Sequence, residues 1–362
     1  MSSYIVIGGG ILGASTAYHL AKQHVKVTLV DRQDKGQASA AAAGIICPWI
    51  SQRRNKKWYA LVKNGANYYK QLVEELETLG ETSTGYKKVG AIALQNDPKK
   101  LQKMFERAVE KRIEAPEIGE LKILSSEETK VKFPLISEDF TSLYVEGAAR
   151  VDGGAMRDAL ISAAKKLGAE VINGDATFSD GVLLVNGHQM EADRIVLTTG
   201  AWGNELPQAL GIDMKVSFQK AQIMHLQVNE LDTGEWPVVL PPTNQYLLTF
   251  ENGKVVAGST YEENTGYDSD VTDAAKNELL ENAISIASSL EYASVTEVRV
   301  GFRPFTPEFL PVIGKLPGYD SIYFSNGLGA SGLTAGPFVG AELARLILGE
   351  ETVLNLSDYE PM

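Results

Sequence analysis

Tyr4-Ile-Val-Ile-Gly-Gly-Gly-Ile-Leu-Gly13-Ala-Ser-Thr-Ala-Tyr-His-Leu-Ala-Lys22, followed by Val25-Lys-Val-Thr-Leu-Val-Asp31, decides how the remainder of the chain is read. Residues 4–7 form a short apolar run suited to a strand buried on both faces, 14–22 read as a helix, and 25–30 as a second strand. Gly8, Gly10 and Gly13 complete a G-x-G-x-x-G pattern with separate jobs. The first permits a tight turn, the second lets the backbone approach a pyrophosphate, and the third lets helix and strand pack closely. The helix N-terminus offers free N–H groups and a partial positive charge to that pyrophosphate. Asp31 ends the second strand eighteen residues after Gly13, where a carboxylate accepts hydrogen bonds from a ribose and repels a 2′-phosphate. Glycines alone would be weak evidence. Strand, helix and acid in the right places predict a dinucleotide-binding unit.

The 362 residues exceed what one core usually organises, so two lobes are expected. Hydrophobic residues make up 44% and charged ones 22%, an ordinary globular balance. A net charge of −12, from 34 basic and 46 acidic side chains, argues against nucleic acid or an anionic membrane as the main partner. The one cysteine, Cys47, excludes an internal disulfide, and the four histidines show no metal-binding spacing. Such cysteine usage suits a reducing cytoplasm. The nucleotide motif starts too near Met1 for a secretory leader, and the longest apolar stretch, 40–50, is short and broken by Pro48. A soluble, cytoplasmic protein without a transmembrane segment is expected, with peripheral membrane attachment left open.

Between Gln37 and Trp49 the small side chains of 38–44 allow a backbone to lie close to a flat ligand; a buried alanine-rich helix is the equal alternative. Helical spacing marks 56–79, whose basic start at Arg53, Arg54, Lys56 and Lys57 is expected to be solvated. A strand at 89–94, a surface helix at 98–112, a helix at 125–132 capped by Ser125 with Glu128, and a strand at 141–145 carry no chemical motif. The first lobe is expected to resume at Val151 with a helix at 155–167, Gly168 as its stop and a strand at 170–173. After a hairpin near Asp180-Gly181, the buried strand from Ile195 runs into Gly200-Ala-Trp202, an arrangement that lets a sheet end meet a nucleotide. Strands at 216–228, 246–250 and 254–259, the last two joined by Glu251-Asn-Gly253, and a helix at 271–290 suggest a separate sheet with a helix on one face. A strand at 322–325, a glycine-rich loop from Asn326 to Gly336 and a helix at 338–348 close the chain. With one pyrophosphate motif, the protein should hold either FAD or NAD; composition does not choose.

The Gly8–Gly13 turn, Asp31, the small run 39–44, Thr199-Gly-Ala-Trp202, and Gly301-Phe-Arg-Pro-Phe-Thr-Pro-Glu-Phe-Leu-Pro-Val-Ile-Gly314 together resemble the D-amino-acid oxidase superfamily. Within it the chain is most similar to glycine oxidase and bacterial D-amino-acid dehydrogenase. The resemblance runs from Ile5 to about Leu348 and is looser over 51–150. It implies an α/β chain with a discontinuous Rossmann-like FAD-binding domain over 1–80, 149–213 and 300–362. An α+β substrate domain with a large mixed or antiparallel sheet would occupy 81–148 and 214–299. The FAD would be noncovalent. Ile11 and Leu12 would sit under the pyrophosphate, Asp31 and Arg32 at the adenosine, and the backbone near Thr177 at the adenine. Ala38, Ser39, Ala43, Gly44 and Ile45 would line the flavin. Leu328, Gly329, Ala330, Ser331, Gly332, Leu333 and Thr334 would wrap its pyrimidine edge, where the helix dipole favours negative charge.

Arg303 matches the family arginine that forks onto a substrate carboxylate, Tyr246 a tyrosine that helps hold it, and Tyr261 a pocket-lining position. The planar guanidinium suits a carboxylate on its own merits. The chain departs from its relatives at Ala330, where glycine oxidase places a second arginine, and at Leu328, where many have histidine. Cys47 is expected to be a small buried hydrophobe near the flavin. The resemblance implies an FAD-dependent amino acid oxidase or dehydrogenase that oxidises the C–N bond of glycine, a D-amino acid or an N-substituted amino acid. The resulting imine would hydrolyse to an oxo acid, and electrons would pass to oxygen or a quinone. No catalytic base is nominated, since position and electrostatics carry such a hydride transfer. A 2-hydroxy-acid dehydrogenase, a non-catalytic flavin-binding protein and an NAD enzyme are the alternatives. Oligomeric state is not read from the chain.

Overall fold

The computed structural model describes residues 2–137, 140–229 and 231–361; Met1, Glu138, Asp139, Glu230 and Met362, which fall within the expected domain ranges, lie outside them. Six strands form one sheet in the order Val312–Lys315, Ile322–Asn326, Arg194–Leu197, Ser3–Ile7, Lys26–Asp31 and Glu170–Asn173, parallel except for the first pair. The continuous apolar run Tyr4 to Ile7 follows from burial on two faces. Tyr4 and Val6 pack on the side of helix Ile11–Lys22, whereas Ile5 and Ile7 join Phe178, Leu183 and Phe324 on the other. Helix Ile11–Lys22 lies between Gly153–Lys166 and Gly332–Leu348. Strands Ala176–Ser179, Val182–Val185 and His188–Gln189 cover the second face as a small antiparallel meander.

A second sheet of eight strands runs Ser294–Phe305, Ser217–Gln227, Lys254–Gly258, Tyr246–Thr249, Val238–Leu240, Ala91–Leu94, Ser142–Val145, Leu121–Leu124. Val238–Leu240 and Ala91–Leu94 are parallel and the remaining neighbours antiparallel, so the sheet is mixed. Asn252 and Gly253 both have positive φ, the backbone an Asn-Gly hairpin requires. Helix Asp273–Ile286, shorter than its expected 271–290, lays Leu279, Ala283 and Ile286 against Met224, Leu226, Val255 and Ala257. The opposite face turns toward the first sheet. Strand Ser294–Phe305 crosses position 300, the expected domain limit, and carries Arg303 within the eight-stranded sheet.

Two helices start earlier than their sequence signals. Helix Ile11–Lys22 begins directly after Gly10, so Gly13 falls in its first turn. Helix Gly332–Leu348 runs through Pro337, although a proline ordinarily ends or starts a helix. Pro337 cannot donate to the carbonyl of Leu333, and that oxygen instead accepts the Tyr69 hydroxyl at 2.5 Å. Tyr69 lies on helix Lys56–Thr78, which approaches closely at Gly65: a β-carbon there would stand 2.2 Å from the Thr334 carbonyl oxygen. The Ser125/Glu128 capping box is formed in both directions, at 3.2 and 3.0 Å. No helix among the described residues is long and apolar enough to cross a membrane.

Candidate active site

An elongated cleft, with an empty volume of about 1640 Å³ including its open mouth, separates the ends of the parallel strands from the eight-stranded sheet. Its floor is the turn between Ile7 and Ile11. Gly8 has φ +102°, and a β-carbon there would stand 2.5 Å from the Thr198 carbonyl oxygen. One on Gly13 would stand 1.8 Å from the Gly8 oxygen, which explains the glycine although Gly13 does not reach the cleft wall. Gly10 differs: a β-carbon there would meet only Ser39 Oγ, at 3.4 Å. Protein packing leaves Gly10 free, and its bare backbone faces the cleft beside Ile11 and Leu12. Ser39 Oγ accepts the Ile11 N–H at 2.8 Å, fixing the small-residue segment to the helix start.

At one end stands Asp31, whose carboxylate accepts the Gln33 N–H at 3.0 Å and the Gln37 amide at 3.1 Å. Its remaining lone pairs suit ribose hydroxyls. Arg32 is held by Asp34 at 2.7 Å, Glu205 at 2.9 Å and Asp175 at 3.2 Å. Three carboxylates around one guanidinium, with Asp31 as a fourth at the same end, make it unfavourable for an additional phosphate. Thr177, expected here, sits exposed on strand Ala176–Ser179 and off the wall; Gly174, Asp175 and Ala176 line the cleft in its place. The Arg32 contacts, 143 and 173 positions away in the chain, carry no local signal.

The expected flavin-lining residues Ala38, Ser39, Ala43, Gly44 and Ile45 all reach the cleft. The segment combines the two alternatives left open by its composition: Ala38–Ala41 is a single helical turn, and Gly44 then takes φ +85°, a β-carbon there falling 1.7 Å from the Val151 oxygen. Gly200 and Trp202 close the side, the Trp202 ring stacked on Tyr267 at 5.4 Å. Of the last loop, Leu328, Gly329, Ala330, Gly332, Leu333 and Thr334 line the cleft. Ser331 turns away and accepts the Trp58 indole N–H at 3.0 Å. Ser325 Oγ, in the cleft wall, is buried without a hydrogen-bond partner among the described residues.

Arg303, near the end of strand Ser294–Phe305, lines the same cleft as segments 38–45 and 328–334. Its Nη2 donates to Ser259 Oγ at 2.7 Å and its guanidinium lies 5.0 Å from the centre of the Tyr261 ring. Nη1 is enclosed yet has no hydrogen-bond partner among the described residues. A buried charged donor left unpaired costs on the order of 1–3 kcal/mol or more, and an incoming carboxylate removes that cost. Tyr246 lines the cleft beside it; burial raises its pKa, partly offset by the Arg303 charge, so the phenol stays protonated and able to donate. Among the described residues lining the cleft there is no histidine, lysine or cysteine, and the carboxylates are those of Asp31, Asp34, Asp175 and Glu205 at the other end.

Cys47 packs against the main core and is not in the cleft wall, one step beyond the expected flavin contact. The residue keeps some solvent contact, but burial of the thiol pushes it up to about 12. At pH 8 roughly one thiol in ten thousand would be ionised. Iodoacetamide is therefore expected to leave the native protein unmodified by mass spectrometry and to label it once after denaturation; rapid native labelling would contradict this environment. His225, on strand Ser217–Gln227, is buried with both ring nitrogens unpartnered among the described residues, and its pKa is lowered to about 4, first by burial and then by Arg299 and Lys254.

The D-amino-acid oxidase (DAO) family model, described as FAD dependent oxidoreductase, matches residues 3–346. The chain is 54% identical to the uncharacterized oxidoreductase YurR of Bacillus subtilis, over 100% of this chain and 99% of that one. It is 27% identical to a glycine oxidase of Pseudomonas aeruginosa, over 99% and 98% of the two. In structure it is similar to iminodiacetate oxidase from Chelativorans sp. BNC1, with a TM-score of 0.96 and 39% identity over 99% of this chain and 98% of the other. Glycine oxidase from Geobacillus kaustophilus shares the fold, with a TM-score of 0.86 at 23% identity over 100% and 99% of the two chains.

Proposed function

Since the chain belongs to the DAO family of FAD-dependent oxidoreductases, we propose that it oxidises the C–N bond of a small or N-substituted amino acid whose carboxylate is held by Arg303. The observation that carries this reading is Arg303 Nη1, enclosed and unpartnered on the cleft side of a strand. The iminodiacetate and glycine oxidases among its relatives act, by name, on substrates of this class. Bound FAD supplies two-electron acceptor chemistry. The chain's residues supply position: Arg303 orients the carboxylate as a fork, Tyr246 donates to it, and the Tyr261 ring steadies the guanidinium. With no histidine, lysine or cysteine in the described lining, the substrate's ammonium loses its proton to water before reaction. The imine product takes up water to give an oxo acid and an amine or ammonia. A 2-hydroxy acid would satisfy Arg303 equally, so the panel below includes one.

FAD would lie with its pyrophosphate on the Gly8–Leu12 turn, its adenosine at Asp31 and its ring between 38–45 and 328–334. Cys47 lies off the wall, so the cofactor would be held noncovalently. Asp31→Ala would remove a charged acceptor worth about 1.5–3 kcal/mol, raising the FAD dissociation constant roughly ten- to hundredfold. Titrating apoprotein with FAD by fluorescence quenching measures it, and an unchanged constant would remove Asp31 from the adenosine site. The main test is the visible spectrum under argon before and after glycine, sarcosine, iminodiacetate, D-alanine, D-proline and lactate. Bleaching by an amine supports the proposal. Bleaching by lactate alone overturns it. Oxygen uptake set against reduction of a quinone analogue then assigns the electron acceptor.

A further inference from the structure

Four aromatic rings meet on one flank of the cleft, where the two sheets approach each other. Trp202 follows strand Arg194–Leu197 of the six-stranded sheet, whereas Phe218 and Phe302 belong to neighbouring strands of the eight-stranded one. Tyr267 comes from the loop between strand Lys254–Gly258 and helix Asp273–Ile286. Its ring stacks on Trp202, 5.4 Å away and 10° from parallel, and on Phe218, 4.6 Å away and 22° from parallel. Trp202 and Phe302 line the cleft, and Phe218 and Tyr267 stand behind them. The Tyr267 hydroxyl donates to the Ala201 carbonyl at 3.1 Å. Burial, followed by the Glu205 charge, raises its pKa, so the phenol stays protonated and able to donate.

The loop that carries Tyr267 is tied down at both ends by one residue. The Lys220 backbone exchanges two hydrogen bonds with that of Glu262, each 2.9 Å. Its side chain is 1% exposed, and Nζ donates to the Asp270 oxygen at 2.8 Å and to the Asp268 carboxylate at 3.3 Å. Between these anchors Asn264 and Gly266 both take φ +58°. Trp202 has no comparable support of its own: among the described residues its indole N–H makes no hydrogen bond, and neighbouring rings alone set its plane. A cleft-wall ring beside the six-stranded sheet is therefore oriented by a tyrosine anchored on the eight-stranded one.

We propose that Tyr267 is a positioning residue for FAD, holding Trp202 as a preformed side wall of the cofactor cleft through a loop that Lys220 secures. The inference rests on FAD occupying this cleft and not on the amine chemistry. A wall ring fixed in advance need not be ordered when the cofactor binds. Without Tyr267 the indole would be ordered only on binding, at a cost in affinity and residence time.

The test compares wild-type holoenzyme with Tyr267→Ala and Tyr267→Phe. Dilution of each holoenzyme, followed by the rise in free-FAD fluorescence, gives the release rate; titration of apoprotein with FAD gives the dissociation constant. Tyr267→Ala should raise both roughly three- to tenfold, the cost of ordering one large side chain. Tyr267→Phe keeps both stacks and loses only the bond to Ala201, so it should recover most of the loss. Apoprotein Tm should fall by no more than about two degrees in either variant, since Tyr267 is half-exposed on a loop whose anchors remain. Unchanged release and dissociation constants in Tyr267→Ala overturn the proposal. So does an apoprotein Tm loss as large as that of the holoprotein, which would make Tyr267 an ordinary packing residue. A loss in Tyr267→Phe equal to that in Tyr267→Ala would overturn the stacking role. No substrate is used, so a wrong amine assignment leaves the result intact; wild-type apoprotein that takes up no FAD would fail the cofactor reading and this inference with it.

Discussion

Arg303→Ala is expected to lower kcat/KM for the amine substrate roughly thirty- to several-thousandfold while flavin content stays at the wild-type level. The range follows from the loss of one partner of a desolvated charge pair, about 2–5 kcal/mol, at about 1.4 kcal/mol per tenfold. Arg303 is one strand position from Pro304 and belongs to the eight-stranded sheet, away from the Gly8–Leu12 turn, so cofactor retention should not depend on it. Its Nη2 is already engaged by Ser259, which fixes the plane of the fork and leaves Nη1 without a partner among the described residues. Arg303→Lys keeps the charge but loses both the fork and the stack on Tyr261, and should recover only part of the activity. Steady-state rates and anaerobic bleaching give the two numbers. A kcat/KM within threefold of wild type in Arg303→Ala would mean that the carboxylate is held elsewhere.

The cofactor turn was legible because every part of it is local: strand, glycines, helix start and acid follow one another within 4–31, and their spacing is imposed by covalent geometry. The hairpin at Asn252-Gly253 and the Ser125/Glu128 cap were legible for the same reason. What escaped depends on distant partners. A reader of the chain starts the last helix after Pro337, since nothing nearby says that Tyr69 will satisfy the Leu333 carbonyl. The adenine was expected at the backbone near Thr177, and the cleft wall there is Gly174 to Ala176, the residues just before it, where strand 176–179 enters its pairing with 182–185. Arg53 reads as an ordinary solvated helix start; its placement beside Phe309, 256 positions later, is a tertiary fact. Resemblance supplied Arg303 as a candidate, and the unpartnered Nη1 supplies the physical reason for it.

Gly13→Ala and Gly10→Ala should fail in different ways, although both belong to one motif. At Gly13 the new methyl would stand 1.8 Å from the Gly8 oxygen and 2.4 Å from Thr198 Oγ1, both part of the strand ends. Neither can move without lifting helix Ile11–Lys22 from the sheet, and overpacking of this kind costs about 1–3 kcal/mol or more. The apoprotein's Tm should drop by several degrees, roughly 2–4 °C for each kcal/mol, before any cofactor is added. At Gly10 the methyl would meet only Ser39 Oγ at 3.4 Å, so the apoprotein's Tm should stay within about two degrees of wild type. There the methyl occupies the space that a pyrophosphate needs for close approach to the backbone, and FAD affinity should fall at least tenfold. Differential scanning fluorimetry of both apoproteins, with FAD titrations of each, separates the cases. Equal Tm losses would mean that Gly10 is a packing residue like Gly13; intact FAD binding in Gly10→Ala would move the pyrophosphate off this turn.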